Sequence, residues 1–140
     1  MRTLTQRLPA LVAAIWWVSL TVVGFLVVPL LFRHLPTPAM AGQMAAHLFT
    51  AQTWVSIACA VLLLAFSRSH LRTAPLVDAA IVFVILGLLM ALVVEFGIAP
   101  RIVARQDLKL WHSLGTGLYL VQWACAAAVL WRLLGPGPAR

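Results

Sequence analysis

The stretch LPALVAAIWWVSLTVVGFLVVPLLF, residues 8–32, decides the fold because it holds no charged side chain over its whole length. About 20 apolar residues are enough for an α-helix to cross the hydrocarbon core of a bilayer. A secretory signal peptide has a shorter apolar region, of about 7–15 residues, and ends at a cleavage site between small residues. The stretch is therefore predicted to be a retained membrane-spanning helix, over about residues 8–31.

Three further apolar runs follow, and they are predicted to form helices over about residues 41–66, 76–98 and 111–134. Of the 140 residues, 64% are hydrophobic and 9% are charged, and the mean hydropathy is +1.03. A soluble domain carries about 25% charged residues. The composition excludes a soluble globular fold and leaves no room for a separate extramembrane domain. Residues 1–140 are therefore predicted to form one all-α domain, a polytopic membrane bundle of four transmembrane helices.

The charged residues lie at the ends of the apolar runs, and they give the chain a net charge of +7. Single arginines at such places are typical of interfacial anchors and topology signals, so no nucleic-acid partner is expected. The side that carries both termini receives the larger share of basic residues, namely Arg2, Arg7, Arg68, Arg72, Arg132 and Arg140. The positive-inside rule then predicts that both termini are cytoplasmic. The preference for Arg over Lys, together with much Ala, Leu, Val and Gly, indicates a GC-rich genome. This favours a bacterial protein, located in the cytoplasmic (inner) membrane.

Two pairs of segments are similar to each other within the chain. The segment VVPLLFR (27–33) matches IAPRI (98–102), and IACAVLL (57–63) matches WACAAAVL (123–130). Two helical hairpins of the same orientation would produce this pattern. Short apolar segments also match by chance, so an internal duplication and a coincidence both remain open.

Polar side chains of the helices collect at the end that is predicted to face outward. They form a candidate polar cluster of Arg33, His47, Glu95, Arg101 and His112. Glu95 lies three residues before the predicted end of helix three, roughly 5 Å along the axis. A carboxylate inside a membrane is a functional candidate that needs a partner, and Arg33, Arg101 and His112 are the candidates for it. A structural ion pair and a proton- or ligand-binding role are both open.

A haem or copper site is a second hypothesis for the same end of the bundle. His47 and His112, on different helices, could ligate a haem iron or share a metal ion. Met40, Met44 and His47 share one helical face, and thioether and imidazole ligands suit Cu(I), with His34 or His112 completing the set. Interfacial histidines and methionine packing explain the same pattern. No metal ligand is therefore assigned.

The fourth helix carries a stripe of polar or small residues at steps of three or four: His112, Gly115, Tyr119 and Gln122. Such a stripe is predicted to face the bundle interior and to bond to other helices, although a quinone or porphyrin pocket would use the same residues. Cys59 and Cys125 lie singly in apolar runs, so they are assigned no chemistry.

Two segments resemble the transmembrane-protein-205-like family of small four-helix membrane proteins. They are VVPLLFRHLPTPAMAGQMAAHLF (27–49) and IAPRIVARQDLKLWHSL (98–114). The residues that carry the resemblance are Pro29, Phe32, Arg33, Ala41, Gly42, Pro100, Arg101, Arg105 and His112. Ser113 stands where the family commonly has glycine. The resemblance implies a multi-pass membrane protein with a domain of unknown function. The fold of that family is reminiscent of the CopD and HemJ families, which are linked to copper uptake and porphyrinogen oxidation. Function does not follow from fold, so the likeness assigns no activity.

The sequence favours a structural or regulatory membrane protein over an enzyme. A carrier acting alone would need a central polar pathway, and the predicted mid-depth positions offer little beyond Ser19, Thr21, Ser56 and Gln122. The expected partners are the lipid bilayer and either another membrane protein or a second copy of the chain. The alternative is a haem-, porphyrin- or copper-binding membrane protein with its site at the non-cytoplasmic end.

Overall fold

A computed structural model describes residues 4–70 and 75–135, and it places side chains for residues 7–67 and 80–135. The elements are α1 (Leu4–Thr21), a π-helical turn π1 (Val22–Val27), α2 (Val28–His34), α3 (Pro38–His70), α4 (Pro75–Leu92), a second π-helical turn π2 (Val93–Ile98), α5 (Ala99–Val103) and α6 (Leu108–Leu134). All described elements are helical, which confirms the predicted fold class. Arg2, Arg72, Arg140 and the Arg68 side chain, on which the predicted orientation partly depends, lie outside the described residues.

Four segments are long and apolar enough to cross a membrane, and they are called spans 1 to 4 below. They are Arg7–His34, Pro38–Ser67, Ala80–Val103 and Leu108–Leu134. Large apolar side chains cover the outside of the bundle, and Val103 and Phe96 are 70% and 67% exposed. Such a surface suits hydrocarbon as the surrounding solvent, so the chain is an integral membrane protein.

The helices extend further into the connections than the hydrophobic pattern predicts. Span 2 begins at Pro38, because proline suits the first helical position and the Thr37 hydroxyl accepts a hydrogen bond from the Met40 N–H at 3.2 Å. Span 4 begins at Leu108, where the Asp107 side chain accepts from the Leu110 N–H at 3.3 Å. Only residues 35–37 and 104–107 therefore connect these helices, and the end of the bundle that holds them is called the short-loop end.

Each of the two odd-numbered spans contains one π-helical turn shortly before a proline. In span 1, the Val28 N–H bonds to the Val23 carbonyl, five residues back, and span 3 has the corresponding bond at Ala99. Pro29 and Pro100 follow these turns. A proline ring clashes with the carbonyl four residues before it, and an inserted residue widens the turn at that point. The wider turn before each proline is the helix distortion that a proline at this place produces.

The pattern of burial repeats between the two halves of the chain. Spans 1 and 3 bury residues at the same spacing, at steps of three and four. The buried residues are Ala13, Trp16 and Leu20 in span 1 and Val84, Gly87 and Ala91 in span 3. Spans 2 and 4 do so as well, with Ser56, Cys59, Ala60 and Leu63 in one and Gln122, Cys125, Ala126 and Val129 in the other. Together with the matching π turns, this repetition supports a duplicated helical hairpin over a chance match of apolar segments.

The spans pack in ring order, each against its two neighbours, and contacts also join the spans that face each other across the ring. A Cβ at Gly87 would lie 2.9 Å from Cη2 of Trp16, so the glycine lets span 3 approach the fully buried indole of span 1. On the other diagonal, Gln122 Nε2 donates to Ser56 Oγ at 2.9 Å. A glycine notch and a buried hydrogen bond therefore close the core.

Candidate intramembrane polar site

One group of polar side chains within the described spans is a buried network. Gln52 Nε2 donates to Ser19 Oγ at 2.9 Å, which joins span 2 to span 1. Ser56 Oγ accepts from Gln122 and donates to the Gln52 carbonyl at 2.9 Å, which joins span 4 to span 2. Gln52, Ser56 and Gln122 are 5%, 0% and 3% exposed. These bonds hold helices together, as polar side chains between transmembrane helices commonly do.

A second set of hydrogen bonds joins span 4 to span 1. The Tyr119 hydroxyl donates to the Leu20 carbonyl at 2.7 Å, and Trp123 Nε1 donates to Thr21 Oγ1 at 2.8 Å. Gly24 makes room for the tyrosine, since a Cβ there would lie 2.5 Å from Cε1 of Tyr119. The prediction that the span 4 stripe faces the interior is thus confirmed for Tyr119 and Gln122. His112, at the start of the stripe, is exposed instead.

Glu95 belongs to neither of these two sets of hydrogen bonds. It is the third residue of π2, and it is partly exposed on the outside of the bundle. Its Oε1 accepts a hydrogen bond from Thr50 Oγ1 of span 2 at 2.8 Å. At 1.5 Å per residue, Thr50 lies about 18 Å along the helix from Pro38, and the hydrocarbon core is about 30 Å thick. Glu95 itself lies eight residues, about 12 Å, before Val103 in span 3, so the carboxylate is inside the span and deeper than the sequence predicts.

The contacts described for the predicted cationic partners of Glu95 are with other groups. The Arg101 guanidinium donates to the Gly97 carbonyl and lies 4.6 Å from the ring centroid of Trp111, near the short-loop end. Arg33 and His112 are exposed. Among the described side chains, none forms an ion pair with Glu95, and Thr50 is the hydrogen-bond partner that this part of the chain provides. The contact that the structure describes for Glu95 is therefore with a hydroxyl, and the predicted pairing with a cation stays a prediction.

Glu95 stands at the deep end of a row of polar side chains on the outside of span 2. Gln43, His47 and Thr50 follow one another at steps of four and three residues, and all three are exposed. Residues at this spacing share one helical face. Gln43, His47, Thr50 and Glu95 are called the lateral polar stripe below. Gln43 and Thr50 were missed by the sequence reasoning, although their spacing from His47 was a signal that could have found them.

No set of metal ligands is gathered by the described residues. In residues 7–67 and 80–135, no three His, Cys, Asp or Glu side chains come close enough together to hold a metal ion. Met40 and Met44 are 49% and 48% exposed on the outside of span 2. Cys59 and Cys125 are free thiols buried in the core. The structure therefore adds no support to the haem or copper hypothesis.

One family model matches the chain. It is described as a domain of unknown function, DUF4149, and it matches residues 11–110. The matched part includes most of span 1, all of spans 2 and 3, and the beginning of span 4. Both π turns and the lateral polar stripe lie inside it. No curated protein and no solved structure matches the chain.

Proposed function

The chain belongs to the DUF4149 family, which is defined by a domain of unknown function, and we propose that it has a structural or regulatory role in the membrane. In this proposal, the lateral polar stripe contacts another membrane protein or a second copy of the chain. The observation that carries the proposal is the Glu95 carboxylate, which lies inside span 3, is partly exposed on the outside of the bundle and bonds to Thr50.

The Glu95 carboxylate can accept more hydrogen bonds than it receives within the chain. Its two oxygens accept about four hydrogen bonds, and Thr50 supplies one of them. A polar group left unsatisfied in hydrocarbon costs several kcal/mol. Ionisable side chains in transmembrane helices almost always face protein or a water-filled cavity for this reason. A partner helix with a hydrogen-bond donor would cover the stripe and supply the missing bonds.

Apolar side chains beside the stripe would complete such a contact. Trp54 lies one turn beyond Thr50 and is 64% exposed, and Phe96 follows Glu95 and is 67% exposed. Contacts between transmembrane helices combine close apolar packing with a few hydrogen bonds. Two hydrogen-bonded polar residues, each with an exposed aromatic residue close to it in its own helix, are therefore suited to recognition of another helix within the membrane.

A photo-crosslinking amino acid placed at Phe96 tests the proposal in native membranes. The matched control is the same probe at Leu26, which is 55% exposed in the corresponding π turn of span 1. We expect a protein adduct of defined mass from Phe96 and only lipid adducts from Leu26. An adduct of twice the chain's mass identifies self-association, and any other mass identifies a different partner.

The Glu95→Ala variant shows whether the carboxylate carries the contact. A hydrogen bond between transmembrane helices contributes about 1–2 kcal/mol, so the Phe96 adduct should fall about five- to thirty-fold. Glu95→Gln, which keeps acceptor and donor atoms, should retain part of it. Asp107→Asn removes a carboxylate outside the spans and should leave the adduct unchanged. Equal adducts from Phe96 and Leu26, or a Phe96 adduct that survives Glu95→Ala, would refute the proposal.

We also propose a finer identity and location for the chain. The residues quoted above support a member of the transmembrane-protein-205-like group, in a bacterial cytoplasmic membrane with both termini cytoplasmic. Both hairpins then present their short loops outward. A cysteine at Gln106, in the exposed 104–107 connection, should react with an impermeant maleimide on intact cells. Reaction only after the membrane is opened would reverse the orientation.

A further inference from the structure

An open groove lies between spans 3 and 4 at the end of the bundle opposite the short-loop end. Its volume is about 410 Å³, and it is lined by Phe83, Ala127, Ala128, Trp131 and Arg132. Arg132 belongs to the last turn of span 4. The groove therefore starts at the level of the membrane interface and runs toward the hydrocarbon core. The lateral polar stripe, on spans 2 and 3, takes no part in it.

We propose that this groove binds one anionic phospholipid, with its phosphate at Arg132 and an acyl chain along the alanines. The shape of the groove suits an acyl chain because Ala127 and Ala128 are small and leave a trough on span 4. Phe83 bounds the trough on span 3, and Trp131 stands at its rim, 81% exposed. Tryptophan at this level is typical of the membrane interface, where one side of the ring meets lipid and the other meets water.

The position of the Arg132 guanidinium suits a phosphate. Its Cζ lies 5.2 Å from the ring centroid of Phe83, and this cation–π contact orients the group beside the groove. Among the described side chains, no carboxylate pairs with it. Arginine presents five N–H donors in a planar fork that can bind phosphate oxygens through two parallel hydrogen bonds. The charge and geometry of this rim are complementary to a lipid phosphate.

A lipid fits the whole groove better than a free anion does. Inorganic phosphate or a soluble glycerol phosphate would use Arg132 and leave the apolar trough of Ala127 and Ala128 unoccupied. A neutral lipid would fill the trough but would bring no net negative charge to a protein that carries +7. Only an anionic lipid with acyl chains satisfies both the charged rim and the apolar floor.

Native mass spectrometry of the purified full chain tests this proposal. The protein, in a neutral detergent, is mixed with equal amounts of dioleoyl phosphatidylglycerol and dioleoyl phosphatidylcholine. We expect one phosphatidylglycerol to be retained with about a five-fold preference, the effect of one arginine at an anionic membrane surface. Arg132→Gln should bring the two lipids to near-equal retention. Arg101→Gln is the matched control, because Arg101 also lies over an aromatic ring, at the other end of the bundle.

Filling the trough tests the acyl chain separately from the charge. Ala128→Leu keeps Arg132 and should reduce retention of phosphatidylglycerol, whereas Ala58→Leu, at an exposed alanine of span 2, should leave it unchanged. This pair keeps the proposal testable even if Arg132→Gln does not fold. Three results would overturn it: no preference in the unaltered protein, equal effects of Arg132→Gln and Arg101→Gln, or competition by glycerol phosphate as strong as that by the lipid.

Discussion

Replacing Gly24 by alanine is expected to destabilise the bundle, even though alanine is the better helix former. The new Cβ would lie 2.5 Å from Cε1 of Tyr119 and 3.1 Å from its hydroxyl oxygen. The ring cannot retreat without breaking its 2.7 Å hydrogen bond to the Leu20 carbonyl. Overpacking costs about 1–3 kcal/mol and the lost bond about 0.6 kcal/mol, while helix preference returns at most about 1 kcal/mol. The net loss in unfolding free energy should be about 1–3 kcal/mol.

The measurement is reversible unfolding by SDS in mixed micelles, followed by far-UV circular dichroism. Gly117→Ala is the matched control, because a Cβ at Gly117, in span 4, would have nothing within 4 Å. The free energy of unfolding of that variant should equal that of the unaltered protein or exceed it by up to about 1 kcal/mol. Opposite signs for the two glycines would show that contact with Tyr119, and not the helix preference of alanine, controls the result.

A double-mutant cycle identifies the group that is responsible. In a Tyr119→Ala background, where the ring is gone, Gly24→Ala should be nearly neutral. In a Tyr119→Phe background, where the ring stays, it should remain destabilising. If Gly24→Ala leaves the unaltered protein equally stable, or keeps its full cost after Tyr119→Ala, then span 4 does not pack into the Gly24 notch.

Three further predictions use the same unfolding assay. Ser56→Ala should lower the free energy of unfolding by about 1–3 kcal/mol, because the buried Gln122 amide loses its hydrogen-bond partner. A neutral result would show that this hydrogen bond does not stabilise the core. Gly87→Ala should cost about 1–3 kcal/mol through overlap with Trp16; unchanged stability would mean that spans 1 and 3 do not meet there. Asp107→Ala should cost about 1 kcal/mol, whereas Asp107→Asn should keep the helix cap. Equal losses in the two variants would contradict a capping role.

The four spans could be predicted from the sequence because the length and polarity of a helix are local properties. The uncharged run of residues 8–32 is enough to predict the first span without any tertiary contact. The ends of the spans were predicted less well, because hydropathy marks the lipid-embedded part of a helix and not its caps. Thr37 and Asp107 cap helices that begin outside the apolar runs.

The partner of Glu95 could not be predicted from the sequence. Helical periodicity determines which residues share a face on one helix, but it does not determine the rotation or the height of that helix relative to its neighbours. Glu95 and Thr50 are 45 residues apart in the chain and meet only because spans 2 and 3 pack at one particular height. The sequence predicted a carboxylate close to cations near the membrane surface, and the packed bundle places it deeper, against a hydroxyl.

The sequence by itself therefore determined that this protein is a four-helix membrane bundle with the acidic residue Glu95 near one end of its third span. The tertiary structure decided which polar groups face inward and which face outward. The reason lies in the close approaches at Gly24 and Gly87, which set how the spans sit against one another. That packing places Gln52, Ser56 and Gln122 in the core and leaves the lateral polar stripe on the outside of the bundle.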